Sequence, residues 1–347
     1  MPIVVKSADL DVEREQIIET LRRYLTPESN ARRYDWLYKE NPHGPARAWI
    51  ARDTSTQAIV GIAAAFPRWL LMRGSRARAW VFGDFCIANQ YRTLGPAVQL
   101  QRALLTASRD TPDLAGWYDF PSQPMVAVYK RLGGVSQGDL LRLAKPLRGD
   151  RAVSLVLGPS RLVQGILPVV NAWLAMGIHA ASKKKSLSIE PHVGMFESEF
   201  DELAHEAGRE YEVCIERSAD YLNWRFTNSP LGRYECLVAR QRDRLCGYAL
   251  FTCTAEDAIL VDLFCAKHES IPESLLNELA LLLLRRGVMT ISAPLVEGHP
   301  WQLVLERRGY RVRERSPFVT APGPSTGSGI FMHPKGGWHF MQADRDS

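Results

Sequence analysis

The chain repeats itself, and that limits its possible folds more than any other feature does. Trp36, Tyr38, Pro42 and Gly44 in WLYKENPHG recur with identical spacing as Trp224, Phe226, Pro230 and Gly232 in WRFTNSPLG. Later landmarks follow in the same order: VGIAAAF from Val60 against CGYALF from Cys246, DFCIA from Asp84 against DLFCA from Asp262, and YKRLGG against LERRGY. Ordered self-similarity of this kind means one structural unit built twice. A length of 347 residues agrees, because it exceeds what a single core usually supports. The expected division is a first domain over 1–150, an apolar and basic connecting segment over 151–192, and a second domain over 193–347.

The most informative stretch of the first copy runs from Trp80 to Leu105. Val81 to Ala88 reads as a buried strand and Gln90 to Pro96 as a tight basic turn. Ala97 to Leu105 reads as an amphipathic helix with Leu100, Leu104 and Leu105 on one face. Arg92, Gly95 and Ala97 stand as R-x-x-G-x-A at this strand-to-helix junction. Small residues there let backbone N–H groups approach an anion, and the helix N-terminus adds its positive end. The junction therefore predicts a phosphate cradle. Neither the nucleotide P-loop string nor the dinucleotide glycine fingerprint occurs at it.

The junction resembles the acetyl-CoA-binding motif of the GNAT superfamily of N-acyltransferases, where [QR]-x-x-G-x-[GA] follows the fourth strand. The resemblance implies a mixed α/β (α+β) fold made of two tandem GNAT-like domains. It implies that Arg92, Thr93, Leu94, Gly95, Pro96 and Ala97 hold the pyrophosphate of acetyl-CoA or another acyl-CoA. Ile87, at the end of strand four, would lie against the same co-substrate, and a strand-four N–H would polarise the thioester carbonyl. GNAT domains commonly follow their fifth strand, here Gly116 to Phe120, with a helix ending in Y-x-x-x-G-[FY]. This chain supplies Tyr129 and Gly133, and then Gly134 where an aromatic is usual. The family tyrosine often protonates the departing thiolate, a task suited to a phenol of ordinary pKa ~10. A buried packing tyrosine is the other reading. Asp84 on strand four would relay the amine proton, or else be a hydrogen-bonded structural carboxylate, since Asp262 holds the same place in the second copy. Asp119 on strand five is the substitute base.

Two such copies resemble the tandem architecture of mycothiol synthase and the Fem-type aminoacyl transferases. They most resemble tandem GNAT proteins associated with bacterial cell-envelope polysaccharide pathways. The implied reaction is acyl transfer from acyl-CoA to the amine of a small molecule or glycan, such as an amino sugar or another envelope precursor. Two other classes stay open. Fem-type transfer from aminoacyl-tRNA would ask for a broad basic groove and often a coiled-coil insertion, and neither heptads nor a long basic run is visible. A non-catalytic scaffold would have lost the cradle in both copies. Counting from Ala88 and Ala266 as equivalent, Ser270, Glu273 and Leu275 take the places of Arg92, Gly95 and Ala97, and Leu305 takes that of Tyr129. A glutamate there repels a pyrophosphate, so the chemistry is expected in the first copy. The second becomes a scaffold or an acceptor-binding wall.

A net charge of +5 is spread over many arginines and forms no basic tail, so nucleic acid is not indicated while an anionic co-substrate is compatible. The six cysteines mostly sit in apolar runs without C-x-x-C, and His333 and His339 lack zinc spacing; no metal is expected. Reduced thiols and an N-terminus that turns acidic before any apolar stretch point to the cytoplasm. From Leu162 to Ser182 no Lys, Arg, Asp or Glu occurs, and Lys183, Lys184 and Lys185 follow. Three readings apply: an interdomain helix, an interfacial helix making peripheral contact with the inner membrane face through 162–185, and a true span. Trp36 and Trp224 read as core anchors, with sugar platforms as the alternative. TAPGPSTGSG reads as a flexible linker before a last strand in GWHFMQADRD.

Overall fold

A computed structural model describes residues 3–150, 167, 171, 187–266, 268, 270–325, 329–332 and 336–345. The first half runs β1 (Ile3–Ser7), α1 (Arg14–Tyr24), α2 (Ala31–Tyr34), β2 (Arg47–Asp53), β3 (Ile59–Met72), β4 (Ser75–Ile87), α3 (Leu94–Arg109), β5 (Leu114–Asp119), α4 (Gln123–Leu132) and β6 (Ser136–Pro146). The second runs β7 (Ser188–His192), α5 (Ser198–Gly208), β8 (Val213–Ile215), α6 (Ala219–Leu222), β9 (Glu235–Gln241), β10 (Arg244–Cys253) and β11 (Asp257–Cys265). It closes with α7 (Ser270–Arg285), β12 (Thr290–Val296), α8 (Gln302–Arg307), β13 (Arg311–Pro322) and β14 (Trp338–His339).

One mixed sheet takes the order β1-β2-β3-β4-β5-β13-β6-β12-β11-β10-β9-β7, with β8 and β14 attached beside β3. The order is the same type of strand read from either edge, with β13 and β6 at the middle. β7, inside the stretch expected to connect the halves, pairs with β9 as β1 pairs with β2. The halves exchange their last strands. β6 leaves the first half and pairs with β12, Thr290 opposite Pro146 through Val296 opposite Leu140. β13 crosses the other way and pairs with β5, Val319 opposite Asp119. A boundary at residue 150 therefore does not separate two sheets.

The repeated landmarks explain themselves in this frame. Trp36 and Trp224 each lie in a π-helical turn. Their rings stack at 5.0 Å, and each indole N–H donates to the other's carbonyl at 2.8 Å. They are core anchors, as burial of both rings requires. Gly61 and Gly247 are equivalent close-approach points. A Cβ on Gly61 would meet Leu100 of α3 at 2.9 Å, and one on Gly247 would meet Ile271 of α7 at 2.9 Å.

β3 does not alternate, because it is buried on both faces: a core shared by the halves lies on one side and α3 with α4 on the other. Pro67, in mid-strand, falls between the β2 pairing, which reaches Ala65, and the β8 pairing, which starts at Leu70. Its missing N–H leaves no ladder bond unmade there. The loop from Asn41 to Gly44 fills the gap, Asn41 donating to the Pro67 carbonyl and His43 Nδ1 accepting from the Trp69 N–H.

The last strand is shorter than expected: Trp338 and His339 form it, in parallel with β8, and Met341 adds a single antiparallel bridge to Leu295. His339 is buried with Nε2 bonded to the Leu263 carbonyl, while His333 lies outside the described residues. So does the 162–185 segment, apart from Leu167 and Asn171. Among the described residues no helix is long and apolar enough to cross a membrane, and no cluster of three metal-ligating side chains occurs.

Candidate active site

β4 and β5 run in parallel only from Arg78–Leu114 to Val81–Tyr118, after which β4 leaves β5 and continues to Ile87 paired with β3 alone. The parting is shaped by a bulge. Ile62 faces Cys86 while Ala64 faces Gly83, so Asp84 and Phe85 together oppose Ala63. Asp84 takes φ +46°, in the left-handed region that Asp tolerates better than most residues. Its carboxylate is held at both oxygens by Arg33, at 2.9 and 2.7 Å, and by the Tyr38 hydroxyl at 2.8 Å. Asp84 and Arg33 are each only 3% exposed. Asp262 repeats this with Arg217 and Tyr248, supplied from different elements. The carboxylate thus fixes the bulge that turns Phe85 to Ile87 toward the gap.

The expected cradle follows at once. The turn from Asn89 to Tyr91 is pinned where the Tyr91 hydroxyl donates to Asp53, whose carboxyl is held well below the usual range by hydrogen bonds from Ser55 and Tyr91. Arg92 Nε donates to the Ile87 carbonyl at 3.1 Å. Thr93 is extended, with φ −115° and ψ 163°, and makes no side-chain cap. The N–H groups of Leu94 and Gly95 therefore open α3 without intrahelical partners, and Pro96 has none to offer. A Cβ on Gly95 would meet nothing within 4 Å. Beside this turn lies a cavity of about 450 Å³. β4 lines it with Phe85, Cys86 and Ile87, the cradle with Arg92, Thr93 and Ala97, and α4 with Pro124, Met125 and Val128. Burial pushes the Cys86 thiol up to about 12, which makes it an inert wall.

Tyr129 is fully buried on α4, stacked on Trp117 at 5.6 Å. Its hydroxyl donates to Asp119 Oδ2 at 2.6 Å and accepts from Gln101 Nε2 at 3.0 Å. Burial first, then the Asp119 charge, raise this phenol well above its ordinary value, so it keeps its proton. Ile87, Arg92, Thr93 and Ala97 thus share the cavity wall, whereas Tyr129 and Asp119 form a pair of their own and neither lines it. Asp84 is turned to Arg33 and belongs to neither group. Gln101 escaped the sequence reading, although a glutamine one turn before Leu105 on an apolar helix face was a visible signal.

In the second half α7 begins at Ser270 as α3 begins at Leu94, which sets Glu273 opposite Ala97 and not opposite Gly95. The two-residue difference arises after Ala266, where that turn is shorter. Glu273 still lies in the first turn of α7, and its Oε2 is paired to Arg308 at 2.7 Å.

No family model matches the sequence, and no curated protein matches it. Solved structures do. A conserved Enterococcus faecalis protein of unknown function, named a probable N-acyltransferase, superposes with a TM-score of 0.65 at 13% identity, over 94% of this chain and 74% of that one. A GCN5-related N-acetyltransferase from Anabaena variabilis gives 0.65 at 15%, over 92% and 72%. Saccharomyces cerevisiae N-myristoyltransferase, solved with myristoyl-CoA bound, gives 0.55 at 13%, over 92% and 84%. The fold is that of the GNAT acyltransferases. Each likeness spans nearly the whole chain, so the GNAT comparison takes in both halves of the sheet and not the cradle alone.

Proposed function

We propose that this GNAT-fold chain is an acyl-CoA-dependent N-acyltransferase whose first half carries the chemistry. One observation carries the reading: the end of β4 that β5 no longer covers, the open N-terminus of α3 and an apolar cavity meet at the parting of β4 and β5. Open space at Gly95 is what a pyrophosphate approaching the backbone requires, and Arg92 adds positive charge. A bound acyl-CoA would be held by Arg92, Thr93 and the N–H groups of Leu94 and Gly95, with Ile87 and Ala97 against it. That a solved GNAT-fold neighbour contains myristoyl-CoA supports acyl-CoA as the donor.

In the reaction the acceptor nitrogen attacks the thioester carbonyl carbon, the C–S bond breaks, and CoA departs as a thiol. The amine must lose one proton and the sulfur must gain one. We assign the gain to Tyr129 and the loss to Asp119, whose hydrogen bond to the phenol lets the amine proton restore it. Asp84 shapes the strand and transfers no proton. The second half serves as scaffold, its cradle position taken by the Glu273–Arg308 pair. For the acceptor we carry forward an amine of an amino sugar or another cell-envelope precursor, approached at the inner membrane face through 162–185. Calorimetric titration of the full chain with acetyl-CoA and with CoA tests the reading, followed by thiol release across a panel of amines. Binding is expected. Its absence with both ligands would leave a GNAT-fold scaffold.

A further inference from the structure

Arg68 sits on β3 in the gap around Pro67, and its guanidinium is completely buried. Nη1 donates to the Pro67 carbonyl at 2.8 Å, but Nε and Nη2 have no hydrogen-bond partner among the described residues. The buried carboxylates within the same core are spent elsewhere, Asp262 and Asp344 on Arg217 and Asp84 on Arg33. The cation rests over the faces of Trp224, at 5.4 Å, and Tyr221, at 6.0 Å. Ring contacts offset only part of the cost of burying an unpaired charge.

Two further unsatisfied groups near Arg68 can donate, whereas the acceptor Asp344 Oδ1 is ion-paired to Arg217 at 2.7 Å. The His43 ring stacks on Tyr221 at 4.6 Å, and because its Nδ1 accepts the Trp69 N–H, its proton sits on Nε2. That Nε2 is buried without a partner among the described residues, and so is the Tyr221 hydroxyl. Charge is also out of balance. Apart from the closed Arg33–Asp84 pair, this centre buries Arg68, Arg217 and Arg225 against Asp262 and Asp344 among the described residues. Arg225, which shares the Trp224 ring with Arg68, spends its donors on the carbonyls of Ala343 and Arg345.

We propose that the protein binds one small inorganic anion, chloride under ordinary conditions, against the free N–H groups of Arg68. The Nε2–H of His43 and the Tyr221 hydroxyl stand beside it. A water molecule would satisfy one or two donors but bring hydrogens of its own and no charge. A halide accepts from every side and supplies the missing negative charge. The site lies on the face of the sheet opposite α3 and α4, and it does not depend on the acyltransfer reading.

The test compares the full chain and Arg68→Met, both prepared in sodium gluconate, by thermal melts with increasing sodium chloride at constant ionic strength. The wild type should gain about 3 °C, saturably, by 100 mM chloride, as expected for an ion that binds only the folded state. Arg68→Met should show no chloride response and should match or exceed the wild type in gluconate, because it no longer buries an unpaired cation. Crystals of the wild type grown in sodium bromide supply a second readout that needs no variant. A bromine anomalous peak beside Arg68 supports the site, and ordinary water density there overturns it. A chloride response of equal size in both proteins would be a general salt effect and would overturn it as well.

Discussion

Gly95→Glu separates binding from stability in opposite directions. In the free protein the new side chain meets open space, so nothing has to move. Replacing glycine inside the first turn of α3 gains about 0.5 kcal/mol of helix propensity. A carboxylate near a helix N-terminus adds about 0.3–1 kcal/mol. The variant should therefore melt slightly above the wild type. At the cradle the sign reverses. A carboxylate about 6 Å from one pyrophosphate charge costs about 0.7 kcal/mol in water-like surroundings and about 3 kcal/mol at an effective dielectric of ~20. That corresponds to an acetyl-CoA Kd about 3- to 100-fold weaker. Gly95→Gln supplies the same bulk without charge and should fall between the two, and the Glu–Gln difference should shrink as salt is raised. Calorimetric titration with acetyl-CoA beside a melt of each variant makes the measurement. An unchanged affinity in Gly95→Glu would refute the cradle, and equal weakening by Glu and Gln would refute the electrostatic argument.

Tyr129→Phe keeps the stack on Trp117 and removes the proton shared with Asp119, so thiol release should fall about 100- to 10,000-fold in kcat with KM little changed. A variant retaining more than about a third of wild-type kcat, with chemistry rate-limiting, would make Tyr129 a packing residue. Asp344 shares Arg217 with Asp262, and burial, ahead of the opposing pull of Arg217, lifts its carboxyl to about 6. The folded value exceeds the ~3.9 of an unfolded chain, so its stabilising contribution is full below about pH 4 and is lost as pH rises through about 6. Asp344→Asn should flatten the fall in Tm over that window, and an unaltered slope would discard this account. If the 162–185 segment is interfacial, the protein should sediment with anionic liposomes at low salt and be released when Lys183, Lys184 and Lys185 become Gln. Equal recovery with and without liposomes would remove the membrane reading.

What the sequence revealed followed its local patterns. The strand, turn and helix from Val81 to Leu105 were legible because period, small residues and capping are local. The two tryptophans were legible as anchors because repetition marked them. Strand exchange was not, since β13 opens on the exposed RVRERS and is buried only toward its end, and β6 is mixed, patterns that say nothing about which neighbour covers either strand. For Asp84 the structural reading was open, but its partners were hidden. Arg33 lies far from it in sequence, and in the second copy Asp262 draws its arginine and tyrosine from other elements, so no shared pattern links carboxylate to partner. Proton donor and packing residue were both readings of Tyr129, and the sequence did not show that Gln101 and Asp119 meet at its hydroxyl.

Because the last strands cross over, the second half cannot be a passenger. Asp119 ends β5 directly opposite Val319, so the strand that backs the proposed base is contributed by residues two hundred positions away in the second half. Loosening β13 would be felt first as a shift in the Asp119–Tyr129 pair. Unfolding either half would strip the other of a central strand, so the chain should melt in a single cooperative step despite its two copies. Duplication here has not left a spare domain: the second half is a mechanical part of the proposed site, and it can drift in sequence only as far as β13 keeps its pairing with β5.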